Sequence, residues 1–190
     1  MTNNLLQKIK VTSQTDAIPI LRNNTLDLII KKIGEQKIRN ILEIGTAYGY
    51  SAYKMSLCKS VHKVVTLEKN PNNWTIAKHF LNNVNKIELI NTDAFLYTPH
   101  DIFDLILLDG PKSHQEELVK KYLDYLSPNG LIIVDNIYLK KITTKTNLNK
   151  NQQKLVVKLT NFKRWLIDNK TIQVEFIDVD DGVAFINKIS

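Results

Sequence analysis

The sequence predicts an α/β protein, a doubly wound seven-stranded sheet closed by a terminal antiparallel hairpin. Three observations carry that expectation. Five short apolar runs alternate with amphipathic stretches, as βαβ units around a buried parallel sheet require. Several of those runs end in an acidic residue, which lines up polar chemistry along one edge of the sheet. Finally, two strand-like segments flank Asp180-Asp181-Gly182, a connection short enough for a hairpin.

The elements follow in order. Ala17-Ile18-Pro19-Ile20 is extended, because Pro19 biases Ile18 away from helical angles, and a helix follows over Asn24–Ile33. Strands are expected at Asn40–Ile44, Lys63–Leu67, Lys86–Ile90, Phe103–Leu108 and Leu131–Val134. Helices between them cover Ser51–Lys59, Asn72–Val84 and Ser113–Leu126. Asn70-Pro71 reads as a helix start, and Ser127-Pro128-Asn129-Gly130 as a stop and turn. A basic amphipathic helix spans Asn151–Asp168, with Leu155, Leu159, Phe162, Trp165 and Leu166 on its apolar face. Strands at Ile172–Val179 and Val183–Lys188 complete the hairpin. No linker or repeat divides the chain, so one domain covers residues 1–190. It has a helical N-terminal segment at 1–38 and a basic loop and helix at 137–170.

Composition narrows the function classes. At 190 residues, 43% apolar and 24% charged, the chain suits a single soluble domain with a real core. No run approaches the roughly 18 apolar residues of a membrane span. The opening residues lack the long apolar stretch and small-residue cleavage site of a signal peptide, so the expectation is a cytoplasmic protein without a membrane partner. A lone cysteine, Cys58, excludes a disulfide framework and a multi-cysteine zinc site. The net charge of +7 is local. Residues 137–170 hold nine basic residues and one acid, a net of +8, leaving −1 for the other 156. A polyanion would meet the protein there. The alternative is composition, since Lys, Asn and Ile are enriched throughout.

The most informative run is Ile41-Leu42-Glu43-Ile44-Gly45-Thr46-Ala47-Tyr48-Gly49-Tyr50-Ser51, an apolar strand ending in E-x-G-x-x-x-G before a helix. Gly45 allows a tight turn at the strand's carboxyl end, where open α/β sheets bind ligands. A pyrophosphate cradle rarely keeps an acid nearby, so Glu43 suits a cationic or amine-bearing ligand. Glu68 ends the next strand and could accept both hydroxyls of a ribose. Asp93 follows the third strand and could read an adenine amino group.

ILEIGTAYGYSA, with the Glu68 strand end and the Asp93 position, resembles the class I S-adenosylmethionine-dependent methyltransferases, whose fold is Rossmann-like. The resemblance implies that Glu43, Gly45, Thr46 and Ser51 surround the methionine part of S-adenosylmethionine. It sets Glu68 at the ribose and Asp93 with Ala94 at the adenine, Asp109 closing the same site.

Two further strands end in oxygen ligands, Asp109 on one and Asp135-Asn136 on the next. Neighbouring strands lie about 4.8 Å apart, so the three side chains could converge. An all-oxygen set suits Mg²⁺, Mn²⁺ or Ca²⁺ rather than zinc. Alternatively, Asp135-Asn136 caps the following turn. Lys112, three residues beyond Asp109, would lie just above such a cation. Its pKa would be pushed down there, favouring a general base.

Together, Asp109, Lys112, Asp135 and Asn136 resemble the metal-dependent O-methyltransferases of the catechol and caffeoyl-CoA type. That family's mechanism implies a metal on Asp109, Asp135 and Asn136 binding the acceptor oxygen, with Lys112 taking its proton. The family is usually homodimeric. Gly110-Pro111 after Asp109 departs from its pattern, which often has an aromatic or a second acid there.

One branch, the bacterial tRNA 5-hydroxyuridine methyltransferases, resembles the chain through its IPIL…T opening, EIGTAYGYSA and the basic segment after Asp-Asn. The resemblance implies a tRNA anticodon loop as partner and conversion of wobble 5-hydroxyuridine to 5-methoxyuridine. Lys140, Lys141, Lys145, Lys150 and Arg164 are then the phosphate-contact candidates. The competing readings are a small-molecule catechol-type O-methyltransferase and a cofactor-binding protein without methylation. Of the four histidines none has ligand spacing, and His114, two after Lys112, is the one closest to the chemistry.

Overall fold

The structure, a computed structural model, describes residues 2–189, with the backbone alone for residues 2, 3 and 141. Its elements run α1 (Thr2–Thr15), α2 (Asn23–Glu35), β1 (Asn40–Ile44), α3 (Tyr50–Ser56), β2 (Lys63–Glu68), α4 (Pro71–Leu81) and β3 (Ile87–Asn91). Then come β4 (Phe103–Leu108), a 3-10 turn at Lys112–His114, α5 (Gln115–Leu123) and β5 (Leu126–Asp135). The chain finishes with α6 (Lys140–Thr143), α7 (Lys150–Asp168), β6 (Ile172–Ile177) and β7 (Val183–Lys188).

The seven strands form one sheet in the order β3-β2-β1-β4-β5-β7-β6. The first five are parallel, β7 runs antiparallel to β5, and β6 pairs antiparallel with β7. The predicted fold class is the observed one. Its central strands are apolar on both faces, so successive residues feed two separate cores. Ile41, Val64, Leu105, Leu107 and Ile133 pack on one side with Ile9, Ile29, Met55 and Ala77 from α1 to α4. Leu42, Val65, Ile106, Ile132 and Val134 pack on the other with Leu118 and Tyr122 of α5 and Phe162 and Leu166 of α7. Between β1 and β4 the chain order reverses, and the crevice at that point opens at the carboxyl edge of the sheet.

Four local details differ from expectation. The helical N-terminal segment holds a further helix, α1, ahead of the expected one, and its Ile9 is fully buried. The signal was Leu5, Leu6 and Ile9 at helical spacing. Ser127–Gly130 is not a stop before a strand but a bulge inside β5. Leu126 pairs with Phe103 and Leu131 with Leu105, so the four residues between them arch outward, with Pro128 and Asn129 exposed. The polar loop after Tyr138 contains the short helix α6, and β6 stops at Ile177 rather than Val179. Among the described residues no helix is long and apolar enough to cross a membrane.

The hairpin loop holds the N-terminal helices. Residue Arg22 at the start of α2 supplies no side-chain cap. The cap comes instead from Asp180, whose Oδ2 accepts from Thr25 N and Thr25 Oγ1, both at 2.9 Å, while Oδ1 accepts from Asn24 Nδ2 at 3.0 Å. Arg22 reaches the same loop and pairs with the buried Asp181 at 2.5 Å. Asp180→Ala should therefore behave as loss of a helix N-cap, lowering unfolding free energy by about 1 kcal/mol. Urea denaturation of the two proteins checks this, and an unchanged midpoint would mean that α2 does not depend on the hairpin.

Candidate active site

A cavity of about 630 Å³ opens where β1, β2 and β4 end. Gly45 and Ala47 contribute from the turn after β1, and Leu67, Glu68 and Lys69 from the end of β2. Thr92, Asp93, Ala94 and Phe95 follow β3, and Asp109, Gly110, Pro111, Lys112 and His114 follow β4. Ile18 and Pro19 come from the extended segment between α1 and α2, and Asn73 from α4. The structure thus brings Gly45, Glu68, Asp93, Ala94, Asp109 and Lys112 to one cavity. Sequence reasoning missed Lys69, Asn73, Thr92, Phe95, Ile18 and Pro19 as lining residues. Only Pro19, in its extended segment, carried a local signal.

The geometry of the β1 turn is set by close approach. Asp109 N donates to Ile44 O at 3.0 Å, tying the ends of β1 and β4 together. Gly45 has φ +102°, and a Cβ there would stand 2.6 Å from the Asp109 carbonyl oxygen. Only glycine fits both conditions.

Glu43, Thr46 and Ser51, assigned to the methionine part by resemblance, do not line the cavity. All three are buried. Ser51 Oγ and Thr66 Oγ1 both bond Glu43 at 2.5 Å, and Thr46 Oγ1 lies 2.6 Å from Thr66 Oγ1. Glu43 does not stand in the cavity wall: its side chain lies beneath the turn, where its partners are hydroxyls of neighbouring elements. Burial pushes the Glu43 carboxyl up to about 7, against the two hydroxyl bonds, with the Asp109 and Glu68 charges adding to the rise.

Glu68 is held by backbone amides, Oε2 accepting from Ala47 N at 2.8 Å and Oε1 from Asn70 N at 2.7 Å. Each oxygen retains a lone pair, so a ribose diol could still bond both. Asp93 accepts from Phe95 N at 2.9 Å and pairs with Lys69 at 2.7 Å. The Lys69 bond, joined by the Phe95 amide, holds its carboxyl below the usual range against a small desolvation. The loop carrying these residues is pinned to α5, since Ala94 O accepts from Tyr122 Oη at 2.7 Å and from Lys121 Nζ at 2.9 Å.

Lys112 Nζ bonds Asp109 Oδ1 at 3.0 Å, both side chains about a quarter exposed. Asp135 is buried beside them. Burial first, then the Asp109 charge, push its carboxyl up to about 6, while Lys112 and Arg22 oppose the rise. Asn136 has φ +62° and turns its amide onto Asp135. The amides of Ile137 and Tyr138 donate to the carbonyls of Gly182 and Asp181, so the hairpin loop satisfies the turn after Asn136. Gly182 permits this contact, because a Cβ at its φ of +79° would meet the Tyr138 ring at 2.2 Å. Among the described residues no three His, Cys, Asp or Glu side chains cluster as a metal site. The set here is two carboxylates and an amide, an all-oxygen donor chemistry that fits a hard cation. Gln115 Nε2 bonds Asp135 O at 3.0 Å and links α5 to this strand end.

The basic segment leaves the same edge of the sheet. Lys140 is paired with Asp178, so its charge is neutralised. Lys145, Lys150 and Arg164 are exposed and have no carboxylate partner among the described residues. The Lys141 side chain lies outside the described residues.

Comparison with known proteins gives a consistent frame. A family model described as O-methyltransferase matches residues 4–189. A Staphylococcus aureus crystal structure, provisionally described as a caffeoyl-CoA O-methyltransferase, superposes with TM-score 0.88 at 28% identity, covering 96% of this chain and 91% of that one. SAH-bound methyltransferase PaMTH1 of Podospora anserina superposes with TM-score 0.84 at 27% identity, covering 98% and 88%. A Thermoplasma volcanium protein described as a probable cobalt-precorrin-6B C(15)-methyltransferase (decarboxylating) is 26% identical over 133 residues, or 68% of this chain and 66% of that protein. The chain therefore spans just under two thirds of that relative's length.

The buried Glu43 makes a stability prediction. Its carboxyl is raised in the fold, so its contribution is complete below about pH 4.5 and is lost as pH rises through about 7. At about 1.4 kcal/mol per pKa unit, the loss is on the order of 3 kcal/mol. Glu43→Gln keeps a neutral group of the same shape and should flatten that part of the stability–pH curve. Chemical denaturation at pH 5 and pH 8 measures it, and identical pH dependence in both proteins would place the Glu43 carboxyl at an ordinary pKa.

Proposed function

The chain belongs to the O-methyltransferase family and has its S-adenosylmethionine-dependent fold; from that premise we propose that it methylates the 5-hydroxyl of wobble 5-hydroxyuridine in tRNA. One observation carries the substrate. The segment with net charge +8 begins directly after Asp135-Asn136, at the edge of the sheet where the cavity opens. A large polyanion docking there would lay an anticodon loop across the reacting groups. Bases in such loops are unstacked and can enter a pocket.

The reaction uses groups already adjacent. S-adenosylmethionine would be held in the cavity by Glu68 at its ribose and by Asp93 with Ala94 at its adenine. The acceptor hydroxyl lies between Lys112 and Asp135. As the neutral amine, Lys112 would take its proton through Nζ, and Asp109, 3.0 Å away, would stabilise the resulting ammonium. Bound S-adenosylmethionine would supply the electrophilic methyl, the O–C bond forming as the C–S bond breaks. When bound by Asp109, Asp135 and Asn136, a hard divalent cation such as Mg²⁺ supplies positive charge to the developing oxyanion. Ile18 and Pro19 line the cavity from the N-terminal side.

A second reading, a small-molecule catechol-type O-methyltransferase, is favoured by the Staphylococcus aureus relative, described as acting on caffeoyl-CoA, a thioester that carries a catechol ring. The two differ in salt dependence. RNA affinity falls with a log–log slope of about −0.7 per phosphate contacted, whereas a neutral catechol responds little.

Asp109→Ala and Lys112→Ala should keep the fold, judged by thermal melting, and lose turnover by about a hundredfold or more. Full activity of both variants in excess chelator would sink the proton transfer and the cation together. For the substrate, labelled S-adenosylmethionine is supplied with magnesium to bulk tRNA from cells lacking the protein, a catechol reaction running in parallel. Nucleoside mass spectrometry should find 5-methoxyuridine appearing as 5-hydroxyuridine is lost. An unmodified tRNA pool beside a methylated catechol would transfer the assignment to the small-molecule reading.

A further inference from the structure

Lys158 stands apart from the other basic residues of α7. Its ammonium bonds the Ser113 carbonyl at 3.3 Å, and Ser113 lies between Lys112 and His114, both of which line the cavity. The side chain is exposed, and no carboxylate pairs with it among the described residues. Three other cations, on α5, α6 and α7, are committed elsewhere. Lys140 is paired with Asp178, Lys163 lies 5.2 Å above the Tyr138 ring, and Lys120 pairs with Glu116 at 2.6 Å. Lys158 therefore brings an exposed charge without a carboxylate partner onto the turn whose Lys112 and His114 line the cavity, held by a neutral carbonyl that does not cancel it.

We propose that Lys158 grips a phosphodiester flanking the nucleotide that enters the cavity. This rests on the RNA reading and deepens it by naming a contact at the reacting nucleotide itself. An ammonium has three donors, and the Ser113 carbonyl takes one, leaving two for phosphate oxygens. The position suits a backbone contact rather than a base contact. A nucleotide whose base reaches Lys112 carries a phosphate on each side, and the turn bearing Lys112 is the turn Lys158 touches. Anchoring one such phosphate orients the splayed base without reading its identity.

The test compares Lys158→Gln with Lys59→Gln, an equal loss of charge. Lys59 is exposed, lies outside the basic segment and precedes β2, which is parallel to β1 and so begins at the opposite edge of the sheet from the cavity. Methylation of bulk tRNA from cells lacking the protein is measured across a salt series. Lys158→Gln should raise KM for tRNA by about fivefold, leave kcat within about twofold and flatten the log–log salt slope by about 0.7. Lys59→Gln should match the parent in all three. A Lys158→Gln enzyme with unchanged KM and slope overturns the contact while the RNA reading stands. A fall in kcat at saturating tRNA also overturns it, because Lys158 would then act by propping the Lys112 turn through Ser113. Absence of tRNA methylation by the parent enzyme removes the RNA reading and the contact with it.

Discussion

The whole site depends on how closely two strand ends meet. β1 and β4 are neighbours in the sheet although β2 and β3 lie between them in sequence, and the Asp109 amide bonds the Ile44 carbonyl at their carboxyl ends. Gly45 makes that contact possible, since any side chain there would collide with the Asp109 carbonyl. The consequence is chemical as well as steric. The turn that lines the cavity and the turn that carries Asp109 and Lys112 form one wall, so the groups proposed to bind the cofactor and to move the proton share a rigid frame.

The hairpin performs a second task that its short length conceals. Its Asp180 caps α2, its Asp181 pairs with Arg22, and its Asp181 and Gly182 carbonyls accept the amides after Asn136. Thus the last loop of the chain joins the N-terminal helices to the end of β5. The Arg22 guanidinium, held there by Asp181, also lowers the cost of ionising the buried Asp135. A helix with no local cap and a strand end with unpaired amides are both satisfied by one loop.

Acids at the carboxyl edge divide by burial into two kinds. Glu43 lies fully beneath the turn, bonded to hydroxyls and pushed toward the neutral form. Glu68, Asp93 and Asp109 line the cavity, where backbone amides or a lysine stabilise their charge. Pairing sorts the basic segment, because Asp178 takes Lys140 out of the free charge while Lys158 keeps its own against the turn that lines the cavity. Counting charges along the chain registers none of these distinctions.

Much of the fold was legible in the letters. Alternating runs with apolar residues on both strand faces determine a buried parallel sheet, and Gly45 and Gly182 mark turns that tolerate no side chain. The strand-end positions of Glu68, Asp93, Asp109 and Asp135 were likewise readable, because strand ends in such a sheet share one edge. What the letters left undecided is which of these groups face the cavity and which are consumed by neighbours. Glu43 looks the same as Glu68 in sequence, yet Ser51 and Thr66 close over the first while the second stays open. Asp180 capping Thr25, 155 residues away, and Lys158 reaching Ser113, 45 residues away, are equally silent in sequence. The reason is physical: local pattern sets periodicity and turns, whereas burial, pKa and pairing depend on atoms that only folding brings together.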